Sequence, residues 1–262
     1  MRRWAARHLA GMVTEAGYTL ASQRPLHVGA AVGSGVHAAV GYTLESKRTT
    51  GDIGNATEAE NRAEAEFLAR AEYGITWDAT TDTLPTAQRQ LQRMSRVFRR
   101  TLAPDLTPLV VETRLEADIG DGWAISGQGD NLSGDPDALV RDLKTGTTQR
   151  ANAIQYAMYF DLFSAHGYAP TGMVEDFLRR VSIKAEQPPP VATPIPLGPA
   201  REDAWTVVRA IKSSTAEFQR RVAEGGGAPR AAFAANPASA LCGAKWCTAW
   251  GTDFCRSHKG AI

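Results

Sequence analysis

The sequence predicts an α/β fold: a mixed central sheet flanked by helices, with a helical N-terminal region and a cysteine-rich C-terminal tail. Three observations predict it. Through the first hundred residues apolar positions recur with helical spacing. Strand composition takes over at "PLVVETRLEADI", 108–119. "ALVRDLKTGTTQRANAIQYAMYF", 138–160, then reads as strand, glycine turn and helix.

The elements follow in order. Candidate helices occupy 31–47, 56–73 and 85–102, the second rich in Ala and Glu. "DG" at 121–122 is a hairpin turn joining the strand at 108–119 to its return at 123–130. "NLSGDPD" turns the chain again into a strand at 138–144. A helix at 149–165 and a strand at 171–184 come next. "EQPPPVATPIPLGP", 186–199, is a proline-rich connector with room for a short edge strand. Residues 201–223 are helical, and "EGGGAP" breaks the chain before the tail. One domain is expected over 1–262: a mainly helical region at 1–104, a sheet core at 105–185, connector and helix at 186–230, and the tail at 231–262. A chain of 262 residues is long enough to bury such a core.

Composition narrows the class. Hydrophobic residues at 43% and charged residues at 22% are ordinary for a soluble protein. No apolar run is long enough to cross a bilayer. "MRRWAARHLA" is basic, but no apolar signal core or cleavage site follows it, so the expected location is the cytoplasm, without a membrane partner. With 29 basic and 28 acidic residues the net charge of +1 names no partner. A nucleic-acid surface must therefore come from local asymmetry.

The chemistry concentrates at the end of the strand 138–144. An acid and a base closing an apolar run are costly unless something charged meets them there. Side chains alternate along a strand, so Asp142 and Lys144 share a side. Asp130 closes the preceding strand and can stand beside Asp142. Two carboxylates gathered at one sheet edge can share a hard divalent cation such as Mg²⁺. A lysine beside them can hold a phosphate oxygen or an attacking water. Gly146 permits the sharp turn into the helix, on which Gln155 and Tyr159 share a face. A D-x-K pair alone is more often a surface ion pair of little energetic worth.

Two further features stand apart. Residues 85–103 hold Arg89, Arg93, Arg96, Arg99 and Arg100 and no acid. At about 100° per residue, Arg89, Arg93, Arg96 and Arg100 form a stripe opposite Leu91, Met94, Phe98 and Leu102. Most such stripes are solvated helix faces, but four arginines with no balancing acid are less usual, and the expectation is a DNA-binding face that guides the nucleic-acid backbone. The three cysteines, Cys242, Cys247 and Cys255, cluster in the tail, which suits a metal or redox centre better than a disulfide framework. With His258 they make a closed tetrahedral set for zinc. No Cys–His–acid arrangement suggests a cysteine nucleophile. "GAAVGSG" lacks the G-K-[ST] of a phosphate loop, "DNLSGDPD" lacks EF-hand spacing, and no G-x-S-x-G is present.

Taken together, "G-Q-G-D" (127–130), "D-L-K-T-G" (142–146) and "Q-Y-A-M-Y" (155–159) resemble the motifs of PD-(D/E)XK nucleases. The likeness is to the RecB-like branch, which includes phage exonucleases and CRISPR adaptation nucleases. "VGSGVHAAV" fits that branch's G-x-x-x-H setting, with Gly33 and Gly41 one turn to either side of His37. The resemblance spans roughly residues 30–185 and, through the cysteines, the tail. It implies a restriction-endonuclease-like core and a Mg²⁺- or Mn²⁺-dependent DNA exonuclease of phage or recombination and repair type.

Residue by residue, the resemblance implies that His37, Asp130, Asp142 and the Leu143 carbonyl ligate the metal. Lys144 would position or activate water, and Gln155 and Tyr159 would contact DNA or steady the site. Glu112 falls where the branch often carries an acid on its first strand. Asp142 stands where many members have Glu, which keeps the charge at shorter reach. The resemblance also implies a [4Fe–4S] cluster in place of zinc, held by the tail cysteines and one distant N-terminal cysteine that this chain lacks. "MRRWAARHL" resembles the stretch just after that cysteine, and His258, His8 or His27 are the available substitutes. Expected partners are DNA, double- or single-stranded, and a recombinase or helicase, with an oligomer open. The rival reading is a non-catalytic DNA-binding or scaffold module with a structural metal knot; an enzyme acting on RNA is a weaker one.

Overall fold

The computed structural model of the chain describes residues 1–21, 25–72, 74–134, 137–149, 152–236, 239, 241–244 and 246–258, the side chains of 256–258 excepted. Its elements are helices α1 (Arg2–His8) and α2 (Ala10–Glu15), strand β1 (Leu26–His27), and helices α3 (Val28–Thr50) and α4 (Ala56–Ala71). Strand β2 (Ile75–Thr76), helix α5 (Leu84–Thr101), and strands β3 (Pro108–Asp118), β4 (Ala124–Ser133) and β5 (Leu139–Gly146) follow. Helix α6 (Ala153–Ala165), strands β6 (Gly172–Arg179) and β7 (Val191–Pro194), and helix α7 (Gly198–Ala223) complete the set.

Five strands form one mixed sheet in the order β3-β4-β5-β6-β7. The pairs β3/β4, β4/β5 and β6/β7 are antiparallel, while β5 and β6 run parallel across α6. Helices flank the sheet. Leu143 and Leu178 bury with Val32, Val36 and Leu44 of α3, Phe67 of α4, and Leu91, Met94 and Phe98 of α5. Val140 and Met173 bury with Tyr156, Leu162 and Phe163 of α6. Val140 and Leu143 have opposite parity on β5, so these two cores lie on opposite faces. No helix among the described residues is long and apolar enough to cross a membrane.

Local chemistry sets the boundaries. Helix α3 begins at Val28, ahead of the expected 31, because the His27 ring caps it and accepts the Gly29 N–H at 3.1 Å. Asn55 caps α4, accepting the Glu58 N–H at 3.0 Å, and Asn152 caps α6, which therefore starts at Ala153 rather than 149. Strand β4 runs on to Ser133, beyond the expected 130, because Asn131–Ser133 pair with β5. Strand β6 stops at Arg179, short of the expected 184. The proline-rich connector does carry an edge strand, β7. Helices α3 and α4 meet at Gly35, where a Cβ would stand 2.5 Å from the Ala63 carbonyl oxygen.

The chain divides into two compact units where one continuous domain was expected. The larger is Pro25–Ala204, and the smaller joins Met1–Arg24 to Trp205–Ile262. In the smaller unit Val13, Phe218, Phe233, Phe254, Cys247 and Cys255 share a core. The two ends of the chain are each too short to bury these aromatic rings alone, so they do it together.

Candidate metal centre at the sheet edge

Pairing between β4 and β5 runs from Ser133↔Leu139 to Asn131↔Arg141. The next residues, Asp130 and Asp142, stand where the ladder ends. A freed backbone donor needs a partner, and the Leu143 N–H finds one in Asp130 Oδ2 at 2.6 Å. The other Asp130 oxygen, Oδ1, lies 3.4 Å from His37 Nδ1, which is also 3.6 Å from Glu112 Oε1. Ligand atoms of His37, Glu112 and Asp130 all fall within 4.8 Å of one another, the one such group among the described residues. Gly41 makes room for it, since a Cβ there would meet Glu112 Cγ at 2.9 Å.

Asp142 is placed differently from expectation. Its Oδ2 pairs with Lys144 Nζ, and its carboxylate lies outside the His37–Glu112–Asp130 group. Leu143 turns into the core under α3, so its neighbours on β5 face away from that core. Lys144 sits over the Tyr156 ring of α6 at 5.5 Å while also lining the cleft with His37 and Glu112. Glu112 takes the place in the ligand group that was expected for Asp142.

The electrostatics bind the two sets together. Burial and then the neighbouring Asp130 charge push Asp142 up to about 7, although Lys144 opposes them. Burial also raises Asp130, but His37, Lys144 and the Leu143 amide outweigh it and leave that carboxyl below its usual range. Burial disfavours charged His37, yet Asp130 and Glu112 hold its imidazole well above the usual range. Burial likewise opposes the Lys144 charge, and Asp142 and Asp130 more than restore it. A buried site that drives one carboxyl toward neutrality is short of positive charge. Two carboxylates and an imidazole spaced at 3.4 and 3.6 Å suit a divalent cation whose bonds are ~2.1 Å long, so the residues fit Mg²⁺ or Mn²⁺.

The cleft holds about 980 Å³ and runs along α3 from Gly29 to Tyr42, with Arg62, Glu66 and Arg70 of α4 on one side and Glu112, Gln128 and Lys144 on the other. Gln155 and Tyr159 meet as their spacing predicts, Gln155 Nε2 donating to Tyr159 Oη at 2.8 Å. Burial raises the Tyr159 phenol, and the charges of Asp142, Lys144 and Asp130 all reach it.

Sequence reasoning missed the layer behind the site. Glu175, fully buried beside Asp142 in the β5/β6 register, accepts from Tyr156 Oη and, at 2.8 Å, from Gln149 Nε2. Asp176 takes a bidentate ion pair from Arg141 at 2.8 and 2.5 Å. "VEDF", 174–177, carried the same signal as Asp142 and Lys144: acids inside an apolar run.

The arginine stripe is largely occupied. Arg96 forks onto Glu60 at 2.7 and 2.9 Å, and Arg93 donates to the carbonyls of Ser182 and Ala185. Arg89 and Arg100 are exposed, and none of the four lines the cleft. The physical reason is that Glu60 and the 182–185 carbonyls, distant in sequence, supply the balance that residues 85–103 lack.

In the smaller unit Cys242, Cys247 and Cys255 line one cavity of about 220 Å³ with Met1, Arg2 and Arg3. Burial raises the Cys255 thiol, against the Arg2 side chain that hydrogen-bonds it. The cysteines do not form a group whose ligand atoms all lie within 4.8 Å of one another. Bonds of ~2.3 Å to one tetrahedral zinc would set sulfurs roughly 3.8 Å apart, so they are not placed as a closed zinc set. The His258 side chain lies outside the described residues. His8 stacks on Trp4 at 5.5 Å, and His27 is committed to capping α3 and to Asp78 at 3.8 Å.

No protein-family model matches the chain. No curated protein matches it either. Among solved structures, the chain overlaps the crystal structure of SSO0001 at 12% identity over 76% of this chain and 83% of that one, with a TM-score of 0.27. An overlap that loose carries no argument.

Proposed function

We propose that the larger unit is a divalent-metal-dependent DNA nuclease of the PD-(D/E)XK type, acting as an exonuclease in phage or recombination and repair processing. The observation that carries this reading is the His37–Glu112–Asp130 ligand group beside the Asp142–Lys144 pair in one cleft. Three antiparallel strands, a helix and a parallel strand support the restriction-endonuclease-like reading of the core.

His37, Glu112 and Asp130 would hold the cation, with Asp142 joining them once its partner Lys144 turns to substrate. Bound there, Mg²⁺ or Mn²⁺ supplies a Lewis acid and a polarised water. Lys144 stays protonated, since its carboxylate neighbours outweigh burial, and can donate to a phosphate oxygen. The Gln155–Tyr159 pair steadies the α6 wall behind it. For the smaller unit, the three thiols share one cavity beside Arg2 but stand too far apart for a closed zinc set, so a [4Fe–4S] cluster, whose ligands stand farther apart, is the reading proposed there and Zn²⁺ is the rival. Iron and zinc analysis with an absorption spectrum of anaerobic protein distinguishes them.

Digestion of end-labelled linear and circular DNA, with Mg²⁺ and with EDTA, tests the activity. Mg²⁺-dependent loss of linear DNA, abolished in Asp130→Ala and Lys144→Ala, is expected. Undiminished cleavage by both variants overturns the assignment, and no cleavage by the wild type returns the chain to the scaffold reading.

A further inference from the structure

We infer that Arg62 and Arg70 of α4 grip the phosphate backbone of a single nucleic-acid strand lying in the cleft, opposite Lys144. The inference rests on the nuclease reading of the metal centre and adds the residues that hold its substrate.

Both arginines line the same cleft as His37, Glu112 and Lys144. Their side chains are 55% and 57% exposed, so the guanidinium groups reach solvent within it. Each uses only Nε on its helix neighbour, Arg62 donating to Glu58 at 2.8 Å and Arg70 to Glu66 at 2.7 Å. The terminal amino groups make no hydrogen bond to any described residue, and a planar fork with free donors suits a phosphate. Arg62 also lies 4.7 Å over the Tyr42 ring, whose Oη accepts the Asn55 N–H at 3.2 Å, so the Arg62 side chain has a second anchor.

Pairs of Glu and Arg four apart are ordinary helix support, and on a free helix that account would suffice. Placement argues for more. The exposed arginines of α5 lie outside the cleft, whereas Arg62 and Arg70 face the candidate metal centre across it. Eight residues of helix separate them, about 12 Å of rise, enough for the two side chains to meet neighbouring phosphates of one strand. A cleft of about 980 Å³, at the upper end for a compact ligand, has room for a few nucleotides of one strand between α4 and Lys144.

The test measures fluorescence polarisation of labelled single-stranded DNA, and of RNA of the same sequence, in EDTA across a salt series. Removing two phosphate contacts lowers the slope of log K against log salt by about 1.4 for a single strand. Arg62→Gln with Arg70→Gln is expected to show that loss and at least tenfold weaker binding. Arg62→Lys with Arg70→Lys should restore most of the slope, and Arg89→Gln with Arg100→Gln should leave it unchanged. Wild-type binding and slope in the double Gln variant, or no binding of either strand by the wild type, overturns the inference. Because EDTA removes cleavage, an arginine-dependent slope without Mg²⁺-dependent digestion would sink the nuclease reading alone.

Discussion

Glu112 holds a left-handed backbone, φ 44°, inside strand β3, and its carboxylate stands 3.6 Å from Nδ1 of His37. A non-glycine residue in that conformation costs on the order of 1–2 kcal/mol, and such residues persist where the surrounding structure fixes them, often at functional sites. Gly41 yields the space that Glu112 needs. Strain and vacated space therefore serve one end, bringing the Glu112 carboxylate to His37 and Asp130 at the candidate metal centre.

Glu112→Gly should separate strain from function. Relief of the left-handed backbone offsets the lost Gln128–Glu112 hydrogen bond of 2.8 Å. Unfolding stability in EDTA is expected within about 1 kcal/mol of wild type, by urea titration. Mn²⁺ affinity by calorimetry should fall at least tenfold. Unchanged affinity would remove Glu112 from the ligand group.

The pH dependence of the metal-free protein follows from two groups with raised values. Asp142 titrates at about 7 folded against 3.8 in its ordinary state, so between these values the folded protein holds a proton that the unfolded chain has released. Stability on this account falls as pH rises from about 4 to 7. His37, also raised, adds stability that is complete below 6.5 and is lost as pH climbs through its folded value. Asp130 is lowered and acts in the opposite sense, losing its contribution only as pH falls below the ordinary carboxylate range. Urea midpoints in EDTA should therefore decline from pH 5 to pH 8, and Asp142→Asn should flatten the part below 7. A variant as steep as the wild type would contradict this.

Lys144→Met tests the pair directly. Asp142 is almost wholly buried, so once its cation is removed it must either stay charged with only His37 left to oppose burial and Asp130 or take up a proton, and both are costly at high pH. The loss should be about 3 kcal/mol at pH 8 in EDTA, and much smaller when Asp142→Asn is present as well. The four urea curves make a double-mutant cycle. Additive effects would mean that the two side chains do not interact.

Much of this was legible in sequence, for identifiable reasons. The change from helical spacing to strand alternation near residue 108 located the sheet, and the parity of Asp142 and Lys144 placed them together. The role of Glu112 was not legible from alternation, because a left-handed residue breaks it. Nor could the stripe on α5 be weighed, since Glu60 and the Ser182 and Ala185 carbonyls balance it from elsewhere in the chain. Arg62 and Arg70 carry no signal in the sequence of α4, because they come to line the cleft only where Gly35 lets α4 close onto α3.

The buried layer behind the site carries the last prediction. Glu175 has no exposed surface, and its two oxygens are met by Tyr156 Oη and Gln149 Nε2. Tyr156 is thus held from two sides: its hydroxyl by Glu175, and its ring face beneath Lys144. Burial and the Glu175 hydrogen bond keep the phenol protonated far above its ordinary range, so it remains a donor at any working pH. Tyr156→Phe keeps the ring but strips a buried carboxylate of one donor, a loss of about 1–3 kcal/mol. Glu175→Gln should cost less, because a neutral amide needs less compensation. If Lys144 is positioned through this ring, cleavage by Tyr156→Leu should lose kcat while KM for DNA stays near wild type, and Tyr156→Phe, which keeps the ring, should keep most of kcat. Unchanged kcat in folded Tyr156→Leu would show that Tyr156 only fills the core.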